Sequence, residues 1–417
     1  MTRVALVGGK RSPFTRAGTL LKKFSFLDLG IHVAEKTVED LELSPSDLDE
    51  IAFSTVLLDP RFPNAARELV LRSSLPKSLS GHFVSNNCIS GLVAVNLIRD
   101  GIACGRIQSG LAGGAESMSQ PSLTLRRDAE KFFLNLSMAR GFKNQLKAAL
   151  KFKPGYLLPV PPSPKEPSTG LTMGQHCELT AKEFGIKREE QDEWALRSHK
   201  RAAAAKESGI LDTEIAPIEG VDSDNFIRKE TSQEKLASLR PVFDRTASGT
   251  LTAGNSSGLT DGSSLVCLMS EEKVKAEGRE ALAYIDAIEF AAIDPKDGLL
   301  MAPALALPRL LERQGLGVAD IDIFEIHEAF SAQVIANRMA WAQGWSKYPK
   351  LKPFGDIPDE KINMNGGSIA IGHPFAATGG RLLLSAAGEL KRSGKKRAVI
   401  SICAAGAMAG AVLLSRD

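Results

Sequence analysis

The chain has 417 residues, enough for two or three domains, and its 43% hydrophobic and 24% charged content is ordinary for a globular protein. A net charge of +3 gives no global electrostatic case for nucleic acid, although a local basic cluster suffices for a phosphate-bearing small molecule. Five widely spaced cysteines with no C-x-x-C pair argue against a disulfide framework and a structural zinc site, and for a reducing, cytoplasmic setting. No signal peptide is read ahead of the first apolar run, and no stretch reaches the roughly 18 apolar residues that a membrane span needs.

Taken in chain order, Val4–Val7 followed by Gly8-Gly9 reads as a buried strand. Leu27–Glu39 has helical spacing with Asp28 near its start, and Ile51–Leu57 is rich in β-formers. Gly91–Asp100 is helical, with Leu92, Val95 and Ile98 recurring on one face, and Ser109–Glu116 is a strand running into a loop. Alternation of strand and helix predicts an α/β fold. Between 121 and 245 the texture changes to charged helices and a proline-rich stretch, Pro159–Pro167, which predicts a mostly helical insertion. Within it, Phe132, Leu136, Ala139, Leu146 and Leu150 fall on one helical stripe over 128–151, flanked by Arg140, Lys147 and Lys151. That face either packs on its own domain or docks a partner or an anionic membrane surface.

Strand texture returns at Gly249–Met269, with a tight G-N-S-S-G-L-T-D-G loop. Then follow a strand at Ala281–Phe290, a helix at Ala302–Gln314, a strand at Ile321–Ile326 and a helix at Glu328–Gly344. The Gly366–Gly380 loop opens a helix to Arg392, and Ala398–Cys403 and Gly410–Leu414 are strands. Each half thus has a glycine-rich loop feeding a helix and then a strand, the pattern of an internal α/β duplication.

Three segments carry chemistry. S-N-N-C-I-S-G holds Cys88, G-H-P-F holds His373, and C-A-A-G-A-M-A-G holds Cys403. Two cysteines and a histidine in turns of small residues suit acyl transfer: a thiolate nucleophile, an imidazole base and a second thiol that moves a proton. Small neighbours let backbone N–H groups approach a developing oxyanion. Spacing alone leaves a structural reading open for each: a buried cysteine, a packed turn histidine.

These segments, with R-S-P-F near the start, G-G-A-E-S-M-S, T-A-G-N-S-S-G-L-T-D-G and H-E-A-F, all in order along the chain, resemble the thiolase family. The H-E-A-F form and the D-P-K-D-G-L-L stretch (Asp294–Leu300) are similar to the branch of the trifunctional-enzyme β subunit and bacterial fatty-acid-oxidation thiolases. The resemblance implies a five-layered αβαβα fold of two similar domains, with a helical loop domain inserted in the first. Its expected boundaries are 1–120 with 246–273, 121–245, and 274–417. It implies coenzyme A as co-substrate with no permanently bound cofactor and no metal, and 3-ketoacyl-CoA thiolysis through an acyl-cysteine. It also implies a homodimer or homotetramer, and a hydratase/dehydrogenase subunit or a membrane surface as the partner for 128–151.

By the same resemblance Cys88 is the acyl acceptor, His373 its base and Cys403 the acid/base for the acetyl α-carbon. The amides of Cys88 and Ala405 form one oxyanion hole. His327 joins His373 in a second, and Glu328 orients its neighbours. Ser257 meets pantetheine, Arg228 lies near the adenine and phosphates, with a surface ion pair as its bland alternative, and Met173 lines the pocket. His176 and Cys177 are assigned to no site. The chain departs from the family at Ala405, Ala407 and Ala409, where glycines are common, and alanine disfavours positive φ. The alternatives are a biosynthetic acetyl-CoA acetyltransferase, a ketoacyl synthase, against which Cys403 argues, and a non-catalytic acyl or lipid binder.

Overall fold

In the computed structural model, which describes residues 2–44 and 47–417, the opening apolar run becomes strand β1 (Val4–Arg11). β2 (Thr15–Arg16) and helix α1 (Phe26–Asp40) follow. Ser25 and Asp28 start α1 with a reciprocal capping box, and the helix turns Phe26, Leu27, Leu29 and Val33 inward. Next come β3 (Glu50–Ser54), α2 (Ala65–Arg72), β4 (Ser80–Val84), α3 (Ser90–Ala103) and β5 (Ser109–Glu116). The stretch from 121 to 245 holds α4 (Arg127–Met138), α5 (Phe142–Ala149), α6 (Met173–Glu183), α7 (Arg188–Glu207) and α8 (Gln233–Ala237).

The second α/β run is β6 (Thr260–Ser270), α9 (Glu271–Ala276), β7 (Ala283–Ala292), α10 (Pro295–Gly298), α11 (Pro303–Gln314), β8 (Ile323–Ile326) and α12 (Ser331–Gln343). It closes with α13 (Ser368–Ile371), α14 (Thr378–Ser393), β9 (Arg397–Ala404) and β10 (Met408–Ser415).

The strands run in the order β4-β3-β5-β6-β1-β7-β10-β9-β8, with β2 on β6. β3 lies parallel to β4 and β5, and β8 parallel to β9. Only Ala5–Tyr284 and Leu6–Ala283 pair β1 with β7, so the sheet is two halves joined by a narrow seam. Three apolar clusters stack the layers. Leu29 and Val33 of α1 and Leu69 of α2 pack on Ile51 and Leu265. Leu92 and Val95 of α3 share a cluster with Leu382 and Leu383 of α14 and with strands of both halves. Leu307 and Leu310 of α11 and Val334 of α12 pack with Val399 and Leu413. The layers are therefore α1/α2, first half-sheet, α3/α14, second half-sheet, α11/α12, the five expected. α14 is covered along most of its length, so that Arg381 and Glu389 are buried along with Leu382, Leu383 and Leu384.

One expectation is corrected. Residues 128–151 do not form one helical stripe. α4 ends at Met138, and Gly141, at φ 81°, starts α5 in a new direction. Phe132 packs against Phe133, Phe152 and Tyr156, while Leu146 and Leu150 stay exposed. Periodicity counted straight through the glycine joined two faces that the turn separates. Within 249–269 the tight loop comes first, and strand β6 begins at Thr260. Before it, Asn255 holds the loop by accepting from the Thr252 N–H at 2.8 Å and donating to Asp192 at 3.0 Å.

Candidate active site

Cys88 lies between the end of β4 and the start of α3. Asn87 takes a left-handed φ of 49°, which asparagine tolerates, and Ser90 Oγ bonds the carbonyl of Asn87 and the N–H of Asn86. This tight turn presents the thiol at the head of the helix. Gly91 is required next: a Cβ there would sit 2.5 Å from the carbonyl oxygen of Ala376, in the loop that follows His373.

His373 follows Gly372, whose φ of 113° only glycine adopts readily. Its N–H donates to Thr260 Oγ1 at 2.8 Å, tying the loop to the first residue of β6. Its Nδ1 is 2.6 Å from Thr378 Oγ1, and its Nε2 is 3.3 Å from Cys88 Sγ. Thr378 Oγ1 also reaches the carbonyl of Pro374 at 3.5 Å. A carbonyl only accepts, so the threonine hydrogen points there and its oxygen accepts from Nδ1–H. Nε2 is then the free lone pair facing the thiol. Burial, with the Arg381 charge, lowers His373 to about 3, and burial, with the Glu116 charge, pushes Cys88 up to about 12. The resting pair is a neutral thiol and a neutral imidazole. Glu116, raised by its own burial, accepts from Thr55, Val56, Leu57 and the N–H of Ala376, fixing the turn after Pro374.

The sulfur also faces the backbone N–H groups of Ala405 and of Cys88 itself, and both favour the thiolate. Asn87 Nδ2 holds the Ala405 carbonyl at 3.0 Å, and Glu166, from the helical stretch, accepts from the Gly406 N–H at 3.0 Å. Of Ala405, Ala407 and Ala409, Ala407 alone has a positive φ, 54°; Ala409 is paired with Cys403 in the β10–β9 ladder. Cys403 is buried at the end of β9. Burial, then the proximity of Cys88 and Cys177, pushes its thiol well above the ordinary range.

His327 directly follows β8, its N–H donating to the Ser401 carbonyl at 2.8 Å. Its ring lies 4.0 Å from that of His373, centroid to centroid. Nδ1 is 2.9 Å from Ser368 Oγ, and Nε2 is buried without a partner among the described residues. Burial, then the proximity of His373 and of the Arg381 charge, holds it well below its ordinary value. Glu328 accepts from Trp194, Ser198, Asn363 and the Ile369 N–H, and so ties α7 to the loop that leads to His373.

Cys88, His373, Ala405, Cys403 and His327 are thus brought together. Ser257, Met173 and Arg228 are not brought into hydrogen-bond contact with Cys88 or His373. The Ser257 N–H donates to the Ala329 carbonyl at 2.9 Å, two residues before Leu259 bridges His373. Met173 opens α6, beside Gly174, which Phe243 covers; Phe243 meets Phe330 edge-on at 5.6 Å. Arg228 is exposed, and no ion pair holds it among the described residues. Its guanidinium lies 5.8 Å from the Phe226 ring, which packs on Gly258. His176 bonds Thr169, and Cys177 packs in the apolar core. Asn87, Glu166, Thr378, Ser368 and Arg381 were not anticipated; Asn87 sits inside S-N-N-C-I-S-G, and Ser368 and Thr378 inside the Gly366–Gly380 loop.

The chain matches the family model described as the thiolase N-terminal domain over residues 4–272 and that of the C-terminal domain over 279–416. It is 40% identical to a 3-ketoacyl-CoA thiolase of Pseudoalteromonas translucida, covering 99% of this chain and 96% of that protein. It is 37% identical to one of Erwinia tasmaniensis, covering 100% and 97%. Among solved structures, an acetyl-CoA acetyltransferase of Bacillus anthracis superposes with a TM-score of 0.84 at 31% identity, covering 100% of this chain and 99% of that one. A thiolase of Ascaris suum in complex with coenzyme A gives 0.83 at 27% identity over the full length of both.

Proposed function

This chain belongs to the thiolase family, and we propose that it cleaves 3-ketoacyl-CoA with coenzyme A into acetyl-CoA and an acyl-CoA two carbons shorter, in fatty-acid β-oxidation. The observation that carries the mechanism is the Cys88 sulfur set 3.3 Å from His373 Nε2 and facing the Ala405 N–H. His373 takes the thiol proton as Cys88 Sγ attacks the keto carbon. The carbon–carbon bond breaks, leaving acyl-Cys88 and the enolate of acetyl-CoA. Cys403 protonates the enolate carbon. Its thiolate then takes the proton of incoming coenzyme A, whose sulfur attacks the acyl group; Cys88 leaves and recovers its proton from His373. The amides of Cys88 and Ala405 hold the negative oxygen on the keto side, and His327 with His373 the thioester oxygen of the enolate. Arg228 and Ser257 serve the adenine-phosphate and pantetheine portions of coenzyme A, and Met173 a wall of the acyl pocket.

Incubation with a 3-ketoacyl-CoA, without free coenzyme A, tests this by mass spectrometry. The expected adduct is an acyl group on Cys88, absent from Cys88→Ala. An unmodified chain that nonetheless turns over substrate would reject the mechanism.

The same proposal includes a cytoplasmic setting, in keeping with cysteines that are all free, and an assembly of at least two copies, with β4 at the end of the sheet order as an edge open to pairing. It assigns α4 and α5, with exposed Leu134, Met138, Phe142 and Leu150 among Arg140, Lys147 and Lys151, to contact with a partner subunit or an anionic membrane. Charge reversal at those three basic residues is expected to abolish co-sedimentation with anionic vesicles or with the partner.

A further inference from the structure

The two facing histidines are wired differently. His373 gives its Nδ1 hydrogen to Thr378. His327 meets a serine whose own hydrogen bonds are already constrained from the other side.

Ser368 opens α13, and its Oγ has two partners among the described residues: His327 Nδ1 and Arg381 Nη2, each at 2.9 Å. Ser368, His327 and Arg381 are all fully buried. A guanidinium nitrogen has only hydrogens to give, so Ser368 Oγ accepts from Arg381. The serine hydrogen then has one acceptor in reach, His327 Nδ1. Were Nδ1 protonated instead, the serine oxygen would accept twice and its hydrogen would be stranded inside the protein, an unfavourable arrangement.

We propose that Arg381 and Ser368 are positioning residues that hold His327 in the tautomer with its hydrogen on Nε2. That nitrogen is the one the protein leaves unpartnered, and the ring it belongs to faces His373. His327 is kept neutral by burial and nearby positive charge, so it owns a single N–H. Which nitrogen carries it decides whether the ring can donate to a thioester oxygen. The importance of this donor for turnover rests on the role given to His327 above; the tautomer itself does not.

Arg381 supports the assignment independently. Among the described residues its one hydrogen bond goes to Ser368, while Nε and Nη1 have no hydrogen-bond partner and the Glu325 carboxylate lies 3.7 Å away. Burial pushes that carboxyl up to about 8 despite the adjacent guanidinium. A fully buried cation with so few partners is poor stabilising material compared with an apolar side chain. What it does supply is a hydrogen aimed at the serine beside the site histidine.

The intact enzyme, labelled with nitrogen-15 histidine, tests this by NMR; the chain has six histidines, and His327→Asn assigns the resonances. Wild type is expected to show His327 as the Nε2–H tautomer with Nδ1 accepting, and Ser368→Ala is expected to lose that fixed signature. In kinetics, Ser368→Ala should lower kcat by about 10–100-fold with little change in the KM for coenzyme A, and Ser368→Thr, which keeps the hydroxyl, should recover most of it. An Nδ1–H tautomer in wild type, or an unchanged signature in Ser368→Ala, overturns the proposal. An Nε2–H signature lost in Ser368→Ala, with full activity in His327→Ala, upholds the relay and removes His327 from the mechanism.

Discussion

The two halves of the sheet run in matching order, β4-β3-β5-β6-β1 against β8-β9-β10-β7, and differ at one place. In the first half, β4 pairs with β3 over five residues and delivers the chain to Cys88. In the second, the position beside β8 is held by the single bridge Phe324–Ile362. The Asn363 side chain replaces the missing ladder: it accepts from the Ile326 N–H at 2.7 Å and donates to the Ile326 carbonyl at 2.9 Å and to Glu328 at 2.7 Å. One amide satisfies the strand end, and the chain turns away at once, with Asn363 at φ 45° and Gly366 at 83°. That early turn brings Ser368 and His373 inward. Each half therefore supplies one member of the thiol–imidazole pair, the first from a strand and the second from a loop held by side chains.

The largest test removes one member at a time. Cys88→Ser is expected to lower thiolysis at least about a thousandfold, and His373→Ala by about 100- to 10,000-fold. The Cys88→Ser, His373→Ala double variant should be no worse than the poorer single one, because the pair acts as a unit. Steady-state rates on acetoacetyl-CoA and a longer ketoacyl-CoA settle it; multiplicative losses would mean that the halves contribute separately.

Asn363→Ala should then cost about 3 kcal/mol in urea unfolding, since it strands the strand-end groups of Ile326 and one donor to Glu328. A loss below about 1 kcal/mol would show that the loop holds without the amide.

pH separates a neutral pair from an ion pair. A base works when unprotonated, and His373 is lowered to about 3, so its working form is lost only as pH falls through that value. The rate of Cys88 acylation is expected to stay level from about pH 8 to about pH 5, with no break near the ordinary histidine value of about 6.5. A break there in the burst phase would contradict it.

The smallest effect is expected at Ala407. Glycine would relieve the left-handed φ but remove a buried methyl and loosen the unfolded chain, so Ala407→Gly should shift stability by less than about 1 kcal/mol.

Much of this was legible in the sequence because it is local. The helix after Cys88 shows its periodicity directly, Ser109–Glu116 reads as a strand running into a loop, and Cys88, His373 and Cys403 each sit in a recognisable run of small residues. β4 was not, since Ser-Gly-His-Phe-Val is short, mixed and lies at the sheet edge. Asn363 was invisible because its work is side chain to backbone, which no spacing encodes. Ser368 and Arg381 lie 13 residues apart, in different helices, and meet only when the chain carrying His373 folds between them. The stripe over 128–151 failed for the opposite reason: the pattern was present, and Gly141 cut it.

The seam between the halves has a consequence for synthesis. β1 is made first, yet its partners are β6 and β7, from Ala283 and beyond in one case and Ser264–Ser270 in the other. β3, β4 and β5 find one another within a short span, but the opening strand emerges from the ribosome with its neighbours still untranslated. A nascent or truncated polypeptide that stops before β6 exposes an orphaned apolar strand, a natural target for chaperones.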